Sequence, residues 1–209
     1  MRMLHMSMRS AAAALMALGF ATGVSAQSSP SSSVSATSAV STVTSAASIR
    51  IDNFARVNDS YFRGAQPVGR DYADLASLGI KTIINLTSDE DGRFDEKDAV
   101  ERIGMRYVHI PMSTRRAPTD KELAAFFAVV NDAASGPVYV HCVGGRHRTG
   151  VMTAVYRMTR DGLSGEQAFK EMKLFKYGPD FLHPEFKKFV YDYRVPKSTA
   201  VAATGSQQQ

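Results

Sequence analysis

The fold of this chain is decided by the stretch Val138-Tyr-Val-His-Cys-Val-Gly-Gly-Arg-His-Arg-Thr-Gly150. Its apolar start, Val138 to Val140, predicts a short buried strand. The glycine-containing segment from Cys142 to Arg148 predicts a loop with five residues between the cysteine and the arginine. A helix is expected to begin near Thr149 and to continue at least to Met158. The stretch therefore predicts a strand, a loop and a helix in direct succession.

This loop, Cys142–Arg148, has the features of an anion site, and we call it the phosphate loop. Successive N–H groups of a tight loop form a concave nest, and the following helix adds unpaired N–H groups and its dipole. Gly144 and Gly145 allow the loop to curl. The planar guanidinium of Arg148 can bind two oxygens of one phosphate. A cysteine thiol in this field has its pKa lowered from ~8.5 to roughly 3.5–7.5, which makes Cys142 a candidate nucleophile.

The stretch resembles the signature of the cysteine-based phosphatases, which is His-Cys, five residues, and Arg-Ser/Thr. The matching positions are His141, Cys142, Gly145, Arg148 and Thr149. The form Gly-Arg-His-Arg-Thr-Gly is most similar to the atypical dual-specificity branch of plants, fungi and bacteria, and the resemblance extends over residues 53–193. It implies a protein-tyrosine-phosphatase-like α/β domain with a central mixed sheet flanked by helices. Alternating strands and helices predict the same class.

The resemblance also implies a role for each residue of the signature. Cys142 would attack a phosphomonoester and form a phosphocysteine, Arg148 would bind the equatorial oxygens, and Thr149 would hydrogen-bond the sulfur. His141 would orient the cysteine. The phosphate would contact the segment Val143, Gly144, Gly145, Arg146, His147 and Arg148. Arg146 and His147 face either outward, where they add positive potential, or inward, where His147 serves packing.

The general acid is the point at which the match fails. The family places an aspartate on the loop after the third strand, but here the Pro111–Pro118 loop contains no carboxylate. Asp120 is the first candidate acid, although its expected place in the first turn of a helix explains it equally well. Asp89 and Asp91 follow as candidates, with a solvated turn as the simpler explanation. The remaining alternative is that the acid is absent, which would favour substrates with good leaving groups, such as phosphoanhydrides.

The N-terminal residues 1–26 have the pattern of a secretory signal peptide. Arg2 and Arg9 precede the apolar run Ala11–Ala21, which is too short to span a membrane, and Val24-Ser25-Ala26 forms a small-residue cleavage site. An uncleaved anchor is the alternative. We therefore expect an exported protein, periplasmic or secreted, without stable membrane insertion after cleavage.

Composition divides the rest of the chain into three parts. Residues 27–50 are rich in Ser, Ala and Thr and predict a disordered linker, 51–195 predict the catalytic domain, and 196–209 predict a flexible tail. Cleavage after Ala26 would lower the formal net charge from +5 to +3, and no basic platform for nucleic acid is present. The oligomeric state is left open.

Cofactors and metals are not expected. One cysteine cannot form an internal disulfide or supply a zinc cluster. The four histidines of the predicted domain do not have the spacing of metal ligands: His109, His141, His147 and His183. A buried inert thiol is the alternative for Cys142.

The remaining pattern predicts further strands and helices. Strands are expected at Tyr61–Arg63, Lys81–Leu86 and Tyr107–Ile110, and helices at Arg70–Ser77, Glu96–Ile103, Thr119–Ala134, Ser164–Phe175 and Pro184–Tyr193. Capping boxes open the helices at Thr119 and Ser164. For Arg63 a structural ion pair is the favoured interpretation.

Three functions compete at this stage. The first is an exported phosphatase that acts on a phosphorylated protein, at phosphotyrosine or at mixed residues. The second is a phosphatase for inositol polyphosphates or pyrophosphates, whose phosphates Arg115 and Arg116 could contact. The third is a phosphate-binding module without catalysis, which would not need the thiol of Cys142.

Overall fold

The computed structural model describes residues 49–89 and 96–196. These residues all belong to the second of the two compact units of the chain, Thr44–Gln209. The predicted signal peptide, nearly all of the predicted linker and nearly all of the predicted tail lie outside the described residues. Asp91 lies outside them as well.

The described strands form one sheet of five strands in the order β1-β2-β5-β3-β4. Their bounds are β1 Ala55–Arg56, β2 Tyr61–Ala65, β3 Thr82–Asn85, β4 Arg106–His109 and β5 Val138–Cys142. β1 pairs antiparallel with β2, whereas β2, β5, β3 and β4 are mutually parallel. The predicted mixed sheet is therefore confirmed.

The described helices occupy the sequence between and after the strands. Their bounds are α1 Asp71–Ser77, α2 Glu96–Arg102, α3 Asp120–Val130, α4 Arg148–Arg160, α5 Gly165–Leu174 and α6 Pro184–Asp192, with 3₁₀ turns at Ala133–Ser135 and Asp180–Leu182. Both predicted capping boxes, at Thr119 and at Ser164, are present. None of the helices described has the length and apolar character that crossing a membrane requires.

The end of α3 differs from its prediction. We expected the helix to reach Ala134, but it ends at Val130 and is followed by the 3₁₀ turn. The carboxylate of Asp132 accepts a hydrogen bond of 2.9 Å from the N–H of Ala134. This local bond starts a new turn and competes with continuation of the helix.

Successive residues along each strand direct their side chains to opposite sides of the sheet, and this divides the core into two clusters. Val138, Val140 and Cys142 of β5 belong to one buried cluster, together with apolar residues of α3, α4, α5 and α6. Tyr139 belongs to the other cluster, with residues of α1 and α2. The described part of the chain is thus a three-layer α/β fold in which β5 is the central strand.

The position of Cys142 follows from this architecture. It is the last residue of β5, and its partner in β2 is Ala65. The carboxyl ends of parallel strands meet at one edge of a sheet, where ligands bind in open α/β folds. The phosphate loop therefore begins at the edge where a ligand site is expected.

Candidate active site

The phosphate loop connects β5 directly to α4 and is curled by one residue in particular. Gly145 has φ +63°, and a Cβ built on it would lie 2.3 Å from the carbonyl carbon of Gly64. Glycine is therefore required at this position both by backbone conformation and by contact with β2. At the other end, the first helical hydrogen bonds join the N–H of Gly150 to the carbonyl of Arg146, at 3.1 Å, and that of Val151 to His147, at 2.9 Å.

Replacement of Gly145 by alanine should lower the free energy of unfolding by about 2–4 kcal/mol, because a side chain at this position meets both strain and overlap. Thermal or urea denaturation measures the loss.

Gly144→Ala is the matched control. Its Cβ would come no closer than 3.5 Å, to the side chain of Arg146, so its stability should stay within about 1 kcal/mol of the parent. Equal stabilities for the two variants would contradict the assignment of the curl to Gly145.

The thiol of Cys142 lies at the base of this loop and is only 4% exposed. Burial raises its pKa, but the side chain and the backbone N–H of Thr149 lower it. The charge of Arg148 and the N–H of Arg146 lower it further, and the net pKa of the thiol is below its ordinary value. These are the groups that favour an ionised sulfur, as at reactive cysteines.

Arg148 joins the phosphate loop to a second segment. Its side chain is 4% exposed, and Nη1 donates a hydrogen bond of 3.2 Å to the carbonyl of Met112. Met112 belongs to the Pro111–Pro118 loop, so this loop borders the site as the resemblance implies. The helix begins at Arg148 itself, one residue before the predicted start at Thr149.

His141 and Thr149 occupy different surroundings. His141 is fully buried next to Glu96, with Nε2 3.1 Å from Oε1 at an angle too poor for a regular hydrogen bond. Because neighbours in a strand face opposite sides, its ring lies on the side of the sheet away from the Cys142 thiol. Thr149 Oγ1 is buried with no regular hydrogen-bond partner in the described structure, and its effect on the thiol pKa identifies the sulfur as the group it serves.

His147 packs inward. Its Nε2 lies 2.9 Å from the carbonyl oxygen of Tyr177, and its ring centroid is 3.9 Å from that of His183. Burial lowers the pKa of His147, and the Tyr177 carbonyl opposes this shift. Arg146 instead is exposed and forms an ion pair of 3.5 Å with Asp52. Of the two orientations left open for His147, the structure has the inward one.

Neither described candidate acid contacts the phosphate loop. Asp120 is exposed in the first turn of α3, and it lines a cavity of about 650 Å³ whose other lining residues belong to α3, the residue that follows it, α6 and the segment after α6. Asp89 is exposed, and Oδ1 lies 3.8 Å from Nδ1 of His109. The assignment of an acid stays a prediction.

The favoured interpretation of Arg63 is wrong. Its side chain is completely buried, and Nη2 donates a hydrogen bond of 2.6 Å to the carbonyl of Gly145. The guanidinium carbon lies 4.0 Å from the ring centroid of Phe175. Within residues 49–89 and 96–196 no carboxylate forms an ion pair with it, because its surroundings are the phosphate loop and the core.

Sequence reasoning also missed Asn53 and Glu96 as residues near the site. Asn53 donates a hydrogen bond of 2.8 Å to the carbonyl of Gly144 and has φ +55°. Glu96 is buried and accepts hydrogen bonds from Tyr72, at 3.1 Å, and Asn85, at 2.6 Å. The signal for Asn53 was present, since asparagine is one of the few residues that tolerate a positive φ.

Comparison with known proteins places these features in a family. A family model described as "DSP-PTPase phosphatase fused to NAD+ Kinase" matches residues 33–186. The chain is 27% identical over 128 residues to the dual specificity protein phosphatase TpbA of Pseudomonas aeruginosa, which is 61% of this chain and 56% of TpbA. It is 30% identical over 116 residues to inositol diphosphatase DSP2 of Oryza sativa, 50% of this chain and 53% of DSP2. The chain thus spans about half the length of these curated relatives.

A solved structure shares the fold. The crystal structure of a cysteine-to-serine variant of P. aeruginosa TpbA in complex with phosphotyrosine superimposes with a TM-score of 0.60 at 23% identity. The match covers 74% of this chain and 91% of that chain. At this identity the similarity establishes the architecture of the sheet and its helices.

Proposed function

Since the family model matches well over half of its length, the chain belongs to the dual-specificity branch of the cysteine-based phosphatases, and we propose that it hydrolyses phosphomonoesters through a phosphocysteine intermediate. The observation that carries the proposal is the Cys142 thiol, buried at the base of the phosphate loop with its pKa lowered. Binding of phosphate alone needs no ionised sulfur, so the non-catalytic alternative does not explain this feature.

The reaction follows from the geometry of the loop. The thiolate of Cys142 attacks phosphorus in line and the ester oxygen leaves, so that a sulfur–phosphorus bond replaces an oxygen–phosphorus bond. Arg148 and the loop N–H groups bind the equatorial oxygens, on which charge is spread in the transition state. Water then attacks the phosphocysteine, and the hydroxyl of Thr149 stabilises the departing thiolate. The cycle returns the free thiolate and inorganic phosphate.

Phosphorylated proteins are the substrate class that we propose first. The relative TpbA is a dual specificity protein phosphatase, and its fold binds phosphotyrosine in a solved complex. Two arginines near the site are already engaged, because Arg146 pairs with Asp52 at 3.5 Å and Arg116 with Glu122 at 2.8 Å. These pairs reduce the positive potential available to a highly phosphorylated small molecule.

Inositol polyphosphates or pyrophosphates are the second candidate. The Pro111–Pro118 loop has no carboxylate, and cleavage of a phosphoanhydride expels a phosphate, which departs without the help of a general acid more readily than an alkoxide does. The relative DSP2 is an inositol diphosphatase. Specificity constants for a phosphotyrosine peptide and for an inositol pyrophosphate, measured with one preparation, decide between the classes. If the specificity constant for the peptide is less than ten times that for the inositol pyrophosphate, phosphorylated proteins are rejected as the preferred substrate class.

Turnover of p-nitrophenyl phosphate should not depend on metal and should survive excess chelator. Because the thiol pKa lies below its ordinary value, the reactive thiolate is lost only as pH falls through that lowered pKa. The acid limb of kcat/KM should therefore lie below pH ~8.5, the ordinary pKa of a cysteine. Rates measured across pH with and without chelator check this, and loss of activity in chelator would contradict it.

The same pH–rate profiles test which carboxylate is the general acid. Asp120→Asn and Asp89→Asn are compared with the parent, and loss of the true acid flattens the basic limb of the profile. Unchanged basic limbs in both variants would reject both residues.

We also propose that the protein is exported, on the strength of the signal-peptide pattern in residues 1–26. Expression with the full N-terminus and sequencing of the mature protein test this. A mature chain that begins at Gln27 in the periplasm or the medium is expected, and a cytoplasmic chain that begins at Met1 would refute it.

A further inference from the structure

Three successive carbonyl groups of the phosphate loop are bound by donors from the N-terminal hairpin region. The carbonyl of Val143 accepts from the backbone N–H of Gln66 at 3.2 Å. The carbonyl of Gly144 accepts from the side chain of Asn53 at 2.8 Å, and that of Gly145 from Arg63 at 2.6 Å. We call these three donors, the N–H of Gln66 and the side chains of Asn53 and Arg63, the carbonyl clamp.

The clamp determines where the N–H groups of the loop point. In a trans peptide the C=O of one residue and the N–H of the next point in opposite directions, and no cis peptide occurs in the described chain. Because the carbonyls of residues 143–145 point toward the clamp donors, the N–H groups of Gly144, Gly145 and Arg146 point away from those donors, to the opposite face of the loop. The N–H of Arg146 is one of the groups that lower the pKa of the Cys142 thiol, which agrees with this direction.

Arg63 adds a charge as well as a donor. Its guanidinium is completely buried, and within the described chain Nε and Nη1 have no hydrogen-bond partner. A buried cation is costly unless an anion or a π-face compensates it. Phe175 provides such a π-face, because its ring centroid lies 4.0 Å from the guanidinium carbon of Arg63. Burial lowers the pKa of Arg63, and the thiolate of Cys142 is among the groups that raise it, so each charge favours the other.

We propose that Asn53 and Arg63 are positioning residues that hold the phosphate loop in its anion-binding conformation, and that Arg63 is a second counter-charge to the Cys142 thiolate. Their effect on turnover rests on the proposed function. Their effects on thiol ionisation and on oxyanion affinity do not require turnover.

The experiment measures both properties on the purified protein. The pH dependence of Cys142 alkylation by iodoacetamide gives the thiol pKa, which has no interference because the chain has one cysteine. Protection of the thiol by tungstate gives the oxyanion dissociation constant. The variants are Arg63→Met, Arg63→Lys and Asn53→Gly, the last chosen because glycine accepts the φ of +55°. Arg56→Gln, which removes an exposed arginine paired with Asp59, is the control.

Arg63→Met should raise the thiol pKa by about one unit and weaken tungstate binding roughly tenfold. Arg63→Lys keeps the charge and should restore most of the thiol pKa without restoring the tungstate affinity. Asn53→Gly should weaken tungstate binding by roughly threefold to tenfold and leave the thiol pKa nearer the parent value. Arg56→Gln should leave both unchanged.

A folded Arg63→Met with the parent thiol pKa and tungstate affinity would overturn the proposal. If Arg63→Met does not fold, Asn53→Gly decides alone, and parent affinity in that variant is the overturning result. A parent protein that binds tungstate through an acidic thiol but hydrolyses no phosphoester would refute the proposed function and leave the clamp intact.

Discussion

Cys142→Ser should reduce turnover of p-nitrophenyl phosphate by more than about 10³-fold, because a serine hydroxyl in the same place is not ionised at neutral pH. The other nucleophilic side chain of the loop, His147, packs inward against Tyr177 and His183. The change replaces one sulfur with a smaller oxygen at a buried site, where the N–H groups of the loop can hydrogen-bond the hydroxyl, so the fold should be retained. Steady-state rates at saturating substrate measure the effect.

Binding is the necessary companion measurement for this variant. The N–H groups and Arg148 remain, so tungstate affinity by titration calorimetry should persist within about tenfold of the parent. A variant that keeps both binding and turnover would show that another group attacks phosphorus. A variant that loses both would show only that the loop has collapsed, which the melting temperature distinguishes.

Arg148→Lys should lower kcat by roughly 10²–10³-fold, the usual effect of removing one oxyanion donor set. Lysine keeps the charge but lacks the planar fork that binds two oxygens at once. It also cannot keep the guanidinium's 3.2 Å hydrogen bond to the Met112 carbonyl while it binds phosphate.

Arg157→Lys offers a matched control in the same helix. Arg157 contacts Glu171 at 3.2 Å and Asp161 on the surface, away from the loop. Turnover by the Arg157→Lys variant should stay within about twofold of the parent value. Equal losses in the two variants would assign the effect to disturbance of α4 and not to phosphate binding.

The local parts of the fold were predictable from the sequence because their signals are local. The strand before Cys142 and the helix after Arg148 follow from apolar runs and glycines that are adjacent in the chain. The capping boxes at Thr119 and Ser164 each bring together residues three apart. Such patterns fix an element without knowledge of its neighbours.

The role of Arg63 was not predictable in this way. Its acceptor, the carbonyl of Gly145, lies 82 residues away, and the two meet only because β2 pairs with β5. A carbonyl carries no sequence signal, whereas an aspartate does, so an ion pair was the natural expectation. The same holds for Asn53, whose acceptor Gly144 is 91 residues away.

The general acid shows a different limit of prediction from sequence. The sequence could report that the Pro111–Pro118 loop lacks a carboxylate, but not which distant carboxylate approaches the substrate. Asp120 was the nearest along the chain, yet it is an exposed first-turn residue that the helix dipole itself accounts for. Proximity in sequence is a weak guide where function requires proximity in space.

The order of the strands has a consequence for how this protein folds. Of the described strands, β5 is the last to be synthesised, but it lies in the middle, between β2 and β3. The two halves of the sheet therefore cannot be joined until residues 138–142 are inserted. Until then the Cys142 thiol should have the pKa of an ordinary cysteine, ~8.5, because Thr149, Arg148 and the N–H of Arg146, which lower it in the folded protein, are not yet in place. An unfolded chain therefore carries a thiol that is mostly protonated at neutral pH, and the thiol becomes acidic only once β5 has taken its place in the sheet.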